Sequence, residues 1–272
     1  MTMVETPPPL PVRDKATAPD RTAGALSPML RRLAEEQATG ILVREHGTLH
    51  LAEGRVVHAE SRHSPGLDVL LTAHGTLATA AWRRAARQSD GPADAARLLL
   101  AEGLLPEGAL ELCHLDALYD AGYFTLSPSS TPGRFRYGSA TRPGPLPSVP
   151  VIALERETLR RRLRLHRLWP DPAADSAPLI RAAPAAAAPV TPRARAVLDR
   201  VDGVRTALEI ARDLGRQAFH TLVDVRRLAA AGLVRPTPAA PVPPMVPPAP
   251  PLTVTDPDIA LLKRLRDALE AL

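Results

Sequence analysis

An α+β fold is predicted from three features of the sequence. Three short apolar runs separated by glycine turns lie between residues 40 and 60. Leucine-rich stretches of helical period flank them, and proline-rich segments divide the rest of the chain. The expected architecture is a small antiparallel β-meander with packed helices, then a separate small all-α domain, joined by Pro-rich linkers.

Residues 1–23 carry Pro7, Pro8, Pro9 and Pro11 without periodicity, which predicts a disordered tail. A first domain is expected over 24–138. It opens on Leu26-Ser27-Pro28, where Ser27 is placed to cap a helix and Pro28 suits its first position. Ile41-Leu42-Val43, Leu49-His50-Leu51 and Val56-Val57-His58 are the three strands of the meander. The turns His46-Gly47 and Glu53-Gly54 separate them, with glycine expected to supply positive φ. Pro65-Gly66 begins a helix through Leu67, Val69, Leu70 and Leu71. Ala96, Leu99, Leu100 and Leu104 mark another, stopped by Gly103. Pro106 begins a third, with Leu110, Cys113, His114, Ala117 and Leu118 on successive turns. Tyr123-Phe124-Thr125-Leu126 and Phe135-Arg136-Tyr137 read as two strands, because aromatic and β-branched residues favour a pleated surface.

A linker over 139–152 leads to a basic helix, 153–169, with six arginines against two glutamates. Residues 170–192 are an Ala/Pro linker. The second domain, 193–235, has helical segments at Ala194–Val201, Ala207–Leu214 and Ala218–Ala230, and Thr206 and Glu209 have the spacing of a capping box. Residues 236–252 are Pro-rich and expected to be extended, spanning roughly 50 Å at about 3.1 Å per residue. The segment 253–272 closes the chain with an amphipathic helix that places Ile259, Leu262, Leu265, Leu269 and Leu272 on one side.

Composition excludes several function classes. The 272 residues carry 34 basic and 29 acidic side chains, for a net charge of +5, and Lys15 and Lys263 are the only lysines. Neither lysine follows a glycine, so the Gly-Lys-Ser/Thr of a phosphate loop is absent. Cys113 stands alone, which rules out an intrachain disulfide and a cysteine-rich zinc site. No run of about 18 apolar residues predicts a membrane helix, and the tail lacks the apolar core of a signal peptide, so a cytoplasmic location is expected. His46, His50, His58 and His63 are close in sequence, yet His46 sits in a turn and no Asp or Cys joins them at ligand spacing, so no metal is expected. Glu60, Ser61 and His63 lack the Gly-x-Ser-x-Gly turn of a hydrolase. Neither catalytic residues nor a cofactor are expected.

The motifs L-S-P-M-L-R-R-L before T-G-I-L-V, then G-R-V-V-H-A-E and D-A-G-Y-F-T-L, resemble the PATAN-type domain of bacterial regulators. That resemblance implies a non-enzymatic adaptor module found beside receiver, winged-helix and GTPase-regulating partners. Within it, L-L-L-A-E-G-L-L-P-E-G-A-L-E-L is similar to the helical repeat at the N-terminus of type II secretion ATPases, some of which bind cyclic di-GMP. Asp94 and Ala96 stand where that repeat has arginine and glycine, and Ala117 where it has glutamine, so helix packing is expected in place of nucleotide binding.

V-D-G-V-R-T-A-L-E-I-A, F-H-T-L-V-D-V-R-R-L and A-A-A-G-L-V in 193–235 resemble a winged-helix domain of the MarR-like kind. The third helix is expected to bury Phe219, Leu222, Val223 and Leu228 and to turn Arg216, Gln217, His220, Thr221, Arg226 and Arg227 outward. In a winged helix that face enters the major groove, arginine reading guanine and glutamine reading adenine. Arg160 and Arg164 of the basic helix would add phosphate contacts. The segment carries nine arginines against Asp199, Asp202, Glu209, Asp213 and Asp224, a net +4 that favours DNA. Pro236 and Pro238 stand where a basic wing strand would follow, which favours protein docking instead. Two readings follow: a transcriptional regulator with a DNA-binding winged helix, or a signalling adaptor in a small-GTPase or two-component system with no DNA contact. In both, the C-terminal helix is too short to be stable alone in water and is expected to bind a regulatory partner or a second copy. A membrane role is not expected.

Overall fold

The computed structural model describes residues 27–73, 75–89, 91–138, 146–183, 189–237 and 259–270. The expected tail 1–23 and nearly all of the linker 236–252 lie outside the described residues. The fold is α+β, with a five-stranded antiparallel sheet and several helices.

Helix α1 (Pro28–Glu35) starts as expected: Ser27 Oγ accepts the Leu30 N–H and Pro28 holds the first helical position. Strands β1 (Gly40–Arg44), β2 (Gly47–Ala52) and β3 (Arg55–Glu60) then form the meander. At the second turn Glu53 (φ 50°) and Gly54 (φ 72°) both take positive φ, which matches the right-handed twist of the flanking strands. The first turn differs from the expectation, because Gly47 lies in β2 itself. A Cβ there would stand 2.1 Å from the Glu60 carbonyl oxygen and 2.4 Å from Thr125 Oγ1. Glycine at this position answers a need for space.

Three helices follow: α2 (Leu67–Thr72), α3 (Thr79–Arg87) and α4 (Pro92–Ala101). The next, α5 (Glu107–Thr125), runs on through Tyr123-Phe124-Thr125, where a strand was expected. Intrinsic β preference yields here to burial. Leu110 of α5 enters a core with Leu67, Leu71 and Leu99. Leu118 and Ala121 enter the sheet core with Leu42, Leu49, Leu51 and Val56. Tyr123 and Phe124 enter a third core with Ile210, Phe219 and Leu222. The same helix serves three cores and turns Glu107, Glu111 and Asp116 to solvent.

Strand β4 (Arg134–Tyr137) pairs with β1, and β5 (Val149–Pro150), inside the expected linker, pairs with β3. The sheet order is β4-β1-β2-β3-β5. The basic segment forms α6 (Val151–Leu168), pressed so close to α5 that a Cβ on Gly122 would lie 2.6 Å from Leu154 Cδ1. The second expected linker holds α7 (Ala173–Ser176) and β6 (Leu179–Arg181). Then come α8 (Pro192–Leu198), α9 (Ala207–Asp213), α10 (Ala218–Ala230) and β7 (Val234–Pro236). Thr206 and Glu209 make the anticipated capping box on α9. β7 pairs antiparallel with β6, Ile180 opposite Arg235. The partner strand therefore precedes the three helices, where a winged helix would have it follow them.

The segment 193–235 lies within one compact unit that runs through Thr237, and a second unit comprises Pro238–Leu272. In the latter, α11 spans Ile259–Glu270 with Leu269 exposed. The side chains of Ile259, Leu262 and Leu265, and Leu272 altogether, lie outside the described residues. No described helix is long and apolar enough to cross a membrane.

Gly47→Ala is expected to destabilise the protein by about 1–3 kcal/mol through the clash with Glu60. Gly108→Ala, where a Cβ meets nothing within 4 Å, should stabilise α5 by up to about 1 kcal/mol. Urea denaturation of the two variants beside the parent checks both signs.

Candidate functional site

Asp120 joins the N-terminal half of the compact unit to the segment 193–235. It sits on α5 with no solvent exposure, and its carboxylate accepts the Ala218 N–H at 2.6 Å and the Phe219 N–H at 2.9 Å. These are orphan donors at the start of α10, so a side chain 98 residues away acts as the cap that Gln217 does not supply. Burial pushes the Asp120 carboxyl up to about 6, against the two N–H donors and Arg161, which favour its charged form. Arg161 of α6 stands 3.7 Å from Asp120, donates to the Tyr119 carbonyl at 3.1 Å and to Glu157 at 2.9 Å, and lies 4.6 Å from the centre of the Phe219 ring.

Beside this cap a cleft of about 460 Å³ opens between α5 and the start of α10. Arg216, Gln217 and His220 line it together with Arg193, Asp116 and Cys113. Three of the residues expected to face DNA are thus gathered, but around a cleft against α5. Arg193 Nε donates to Asp224 Oδ2 at 2.9 Å, and Arg216 Nη1 donates to the Arg193 carbonyl at 3.4 Å. Burial, aided by Arg193 and Arg161, drives His220 down to about 4, so the ring is neutral at pH 7 and offers no cationic contact. Burial also raises the Cys113 thiol, which leaves it a poor nucleophile. The cleft has polar groups for recognition.

The other expected DNA contacts are corrected by the burial of α10. Thr221 is buried and donates to the Gln217 carbonyl. Arg226, expected outward, is 5% exposed. Its guanidinium holds Asp175 of α7 at 2.8 and 2.6 Å and also donates to the Leu165 and Trp169 carbonyls. Leu222, Val223, Val225, Leu228 and Ala229 are buried with it, and Arg227 is exposed near Asp224. A helix enclosed on nearly all sides cannot lie in a major groove.

On α6, Arg160 is exposed and pairs with Glu157, and Arg164 is exposed. Arg161 and Arg162 turn inward, Arg162 donating to the Leu126 carbonyl. The histidines divide into pairs: His46 and His63 have ring centres 5.3 Å apart, as do His50 and His58. No group of three His, Cys, Asp or Glu among the described residues could hold a metal ion. Sequence reasoning missed Asp120 and Arg161, whose partners lie far along the chain. It also missed α3, whose alanine-rich run Ala78–Ala86 was the available signal.

Comparison with known protein families, curated proteins and solved structures finds no match for this chain.

Replacing Arg226 by Ala should destabilise the protein by about 3 kcal/mol or more, because Asp175 and two carbonyls lose their donor. Arg227→Ala should be nearly neutral, and thermal melts separate the two. Acid should also weaken the fold. His114 and His220, both held near 4 mainly by burial, stay neutral in the folded chain, whereas the unfolded chain protonates them near 6.5. Stability present above pH 6.5 is therefore lost as pH falls toward 4, by up to about 3 kcal/mol for the buried His114 and by less for His220, whose partial exposure lets solvent screen it. Asp120, raised to about 6, works in the opposite direction and offsets part of that loss. Denaturant midpoints at pH 7 and pH 4.5, repeated with His114→Gln, measure the effect.

Proposed function

We propose that the protein is a non-enzymatic regulatory adaptor that acts by binding other proteins in the cytoplasm and does not read DNA sequence. The observation that carries this reading is the burial of α10, which encloses Thr221 and Arg226 in the fold. The pairing of β7 with the preceding β6 supports it as well. The motifs similar to the PATAN-type domain support an interaction module in place of a catalytic one.

The surface that suits protein binding is the outer side of α6. Ile152, Arg156, Arg160, Leu163, Arg164 and Arg167 are exposed there at helical spacing. Two exposed apolar side chains among arginines fit an acidic protein partner with apolar anchors. Leu269, exposed on α11, supports the C-terminal helix as a second recruiting element for a partner or another copy. A second reading, contact with nucleic-acid phosphates, is favoured by one observation. Among the described residues Arg156, Arg164 and Arg167 have no carboxylate within 4.0 Å.

The full chain should retain its protein partners in a native-lysate pull-down after nuclease treatment. It should show no preference between two DNA duplexes of unrelated sequence in fluorescence anisotropy. Arg156→Glu with Arg164→Glu should remove those partners and leave the melting temperature within a few degrees. Tight, sequence-selective duplex binding would overturn the adaptor reading.

A further inference from the structure

A second cavity, about 440 Å³, opens beside α5, between the end of β3, the start of α2 and α3. That volume lies within the range of small-molecule sites. Its space comes from small residues: Ala117 and Ala121, one turn apart on α5, leave a floor that larger side chains would fill. Trp82 and Ala86, one turn apart on α3, also line it, so an indole borders an open volume.

The charged groups at this cavity run against the composition of the chain. Arginine is the commonest charged residue in a protein of net charge +5, yet among the described residues the cavity is lined by Glu60 and Asp68 and by no arginine or lysine. His58 Nε2 lies 3.0 Å from Glu60 Oε1, and Glu60 Oε2 has no partner among the described residues. A further, independent feature is Ser64. It is 8% exposed and lines the cavity, and its hydroxyl makes no hydrogen bond among the described residues. The hydroxyl oxygen is open to the cavity, where a ligand or water can bond it.

We propose that this cavity is a binding site for a small organic cation, a primary amine carried on a flat apolar body. The ammonium group donates to Glu60 and Asp68 at the rim and to the Ser64 hydroxyl. The apolar body lies on Trp82 and the α5 alanines, where the indole face also attracts the positive charge. An anionic ligand meets two carboxylates and no guanidinium, so the site discriminates by charge. The assignment is independent of the adaptor reading, since none of these residues belongs to the cleft at α10 or to the outer side of α6.

Isothermal titration of the full chain with three probes of one shape tests it: phenethylamine, the neutral 2-phenylethanol and the anionic 3-phenylpropionate. Phenethylamine should bind at least tenfold more tightly than the alcohol, and the carboxylate should give no measurable heat. Glu60→Gln combined with Asp68→Asn should remove the tenfold preference. Ala86→Trp, a change at an exposed position on the wall, should block all binding and leave the far-ultraviolet circular dichroism unchanged. Equal affinity for amine and alcohol, absence of amine binding, or parental affinity in folded Ala86→Trp would each overturn the proposal.

Discussion

The hydrogen bonds from the Ala218 and Phe219 amides to Asp120 are the contact on which the compact unit depends. They make one carboxylate serve two elements: it belongs to the sheet-bearing half by chain position and to α10 by bonding. Once α10 is anchored there, its sides are committed to α5, α6, α7, α8 and α9. The cleft, the buried Arg226 and the loss of any exposed reading helix all follow from that anchoring. A winged helix frees its third helix on one side. Here that side is taken by the rest of the protein.

The arginines show how a charged residue becomes part of a core. Arg161 and Arg226 are among the buried residues, yet neither is stranded, because each guanidinium spreads its donors over a carboxylate and backbone carbonyls. Lysine, with a compact charge and no planar fork, could not bridge α6, α7 and α10 in this way. With only two lysines in the chain, arginine supplies both the solvated surface of α6 and its internal ties.

What was legible in the sequence was local. The caps at Ser27 and Thr206, the glycine turn at Glu53-Gly54, the meander and the basic helix rest on residues within a few positions of one another, and the structure has them all. Tyr123-Phe124-Thr125 was misread because its β preference is a local signal and its burial between two cores is not. Arg226 was misread for a related reason. Next to Arg227 it looks like part of a solvated run, and only the distant Asp175 reveals that it points inward. The candidate site was legible as a set of residues, Arg216, Gln217 and His220, but not as to what they face.

The distance along the chain between Asp120 and its partners has a consequence for synthesis. At translation speeds of about 5–20 residues per second, the 98 residues that separate Asp120 from Ala218 take on the order of 5–20 s to emerge. During that interval α5 is complete, but Tyr123, Phe124 and Asp120 lack their partners on α10, since Ala218, Phe219 and Leu222 have not yet been made. A nascent chain with a bare aromatic end on its central helix is open to wrong associations. The first half of this protein thus waits on its second half, and a chain halted before residue 219 would expose at α5 a surface that the finished molecule buries.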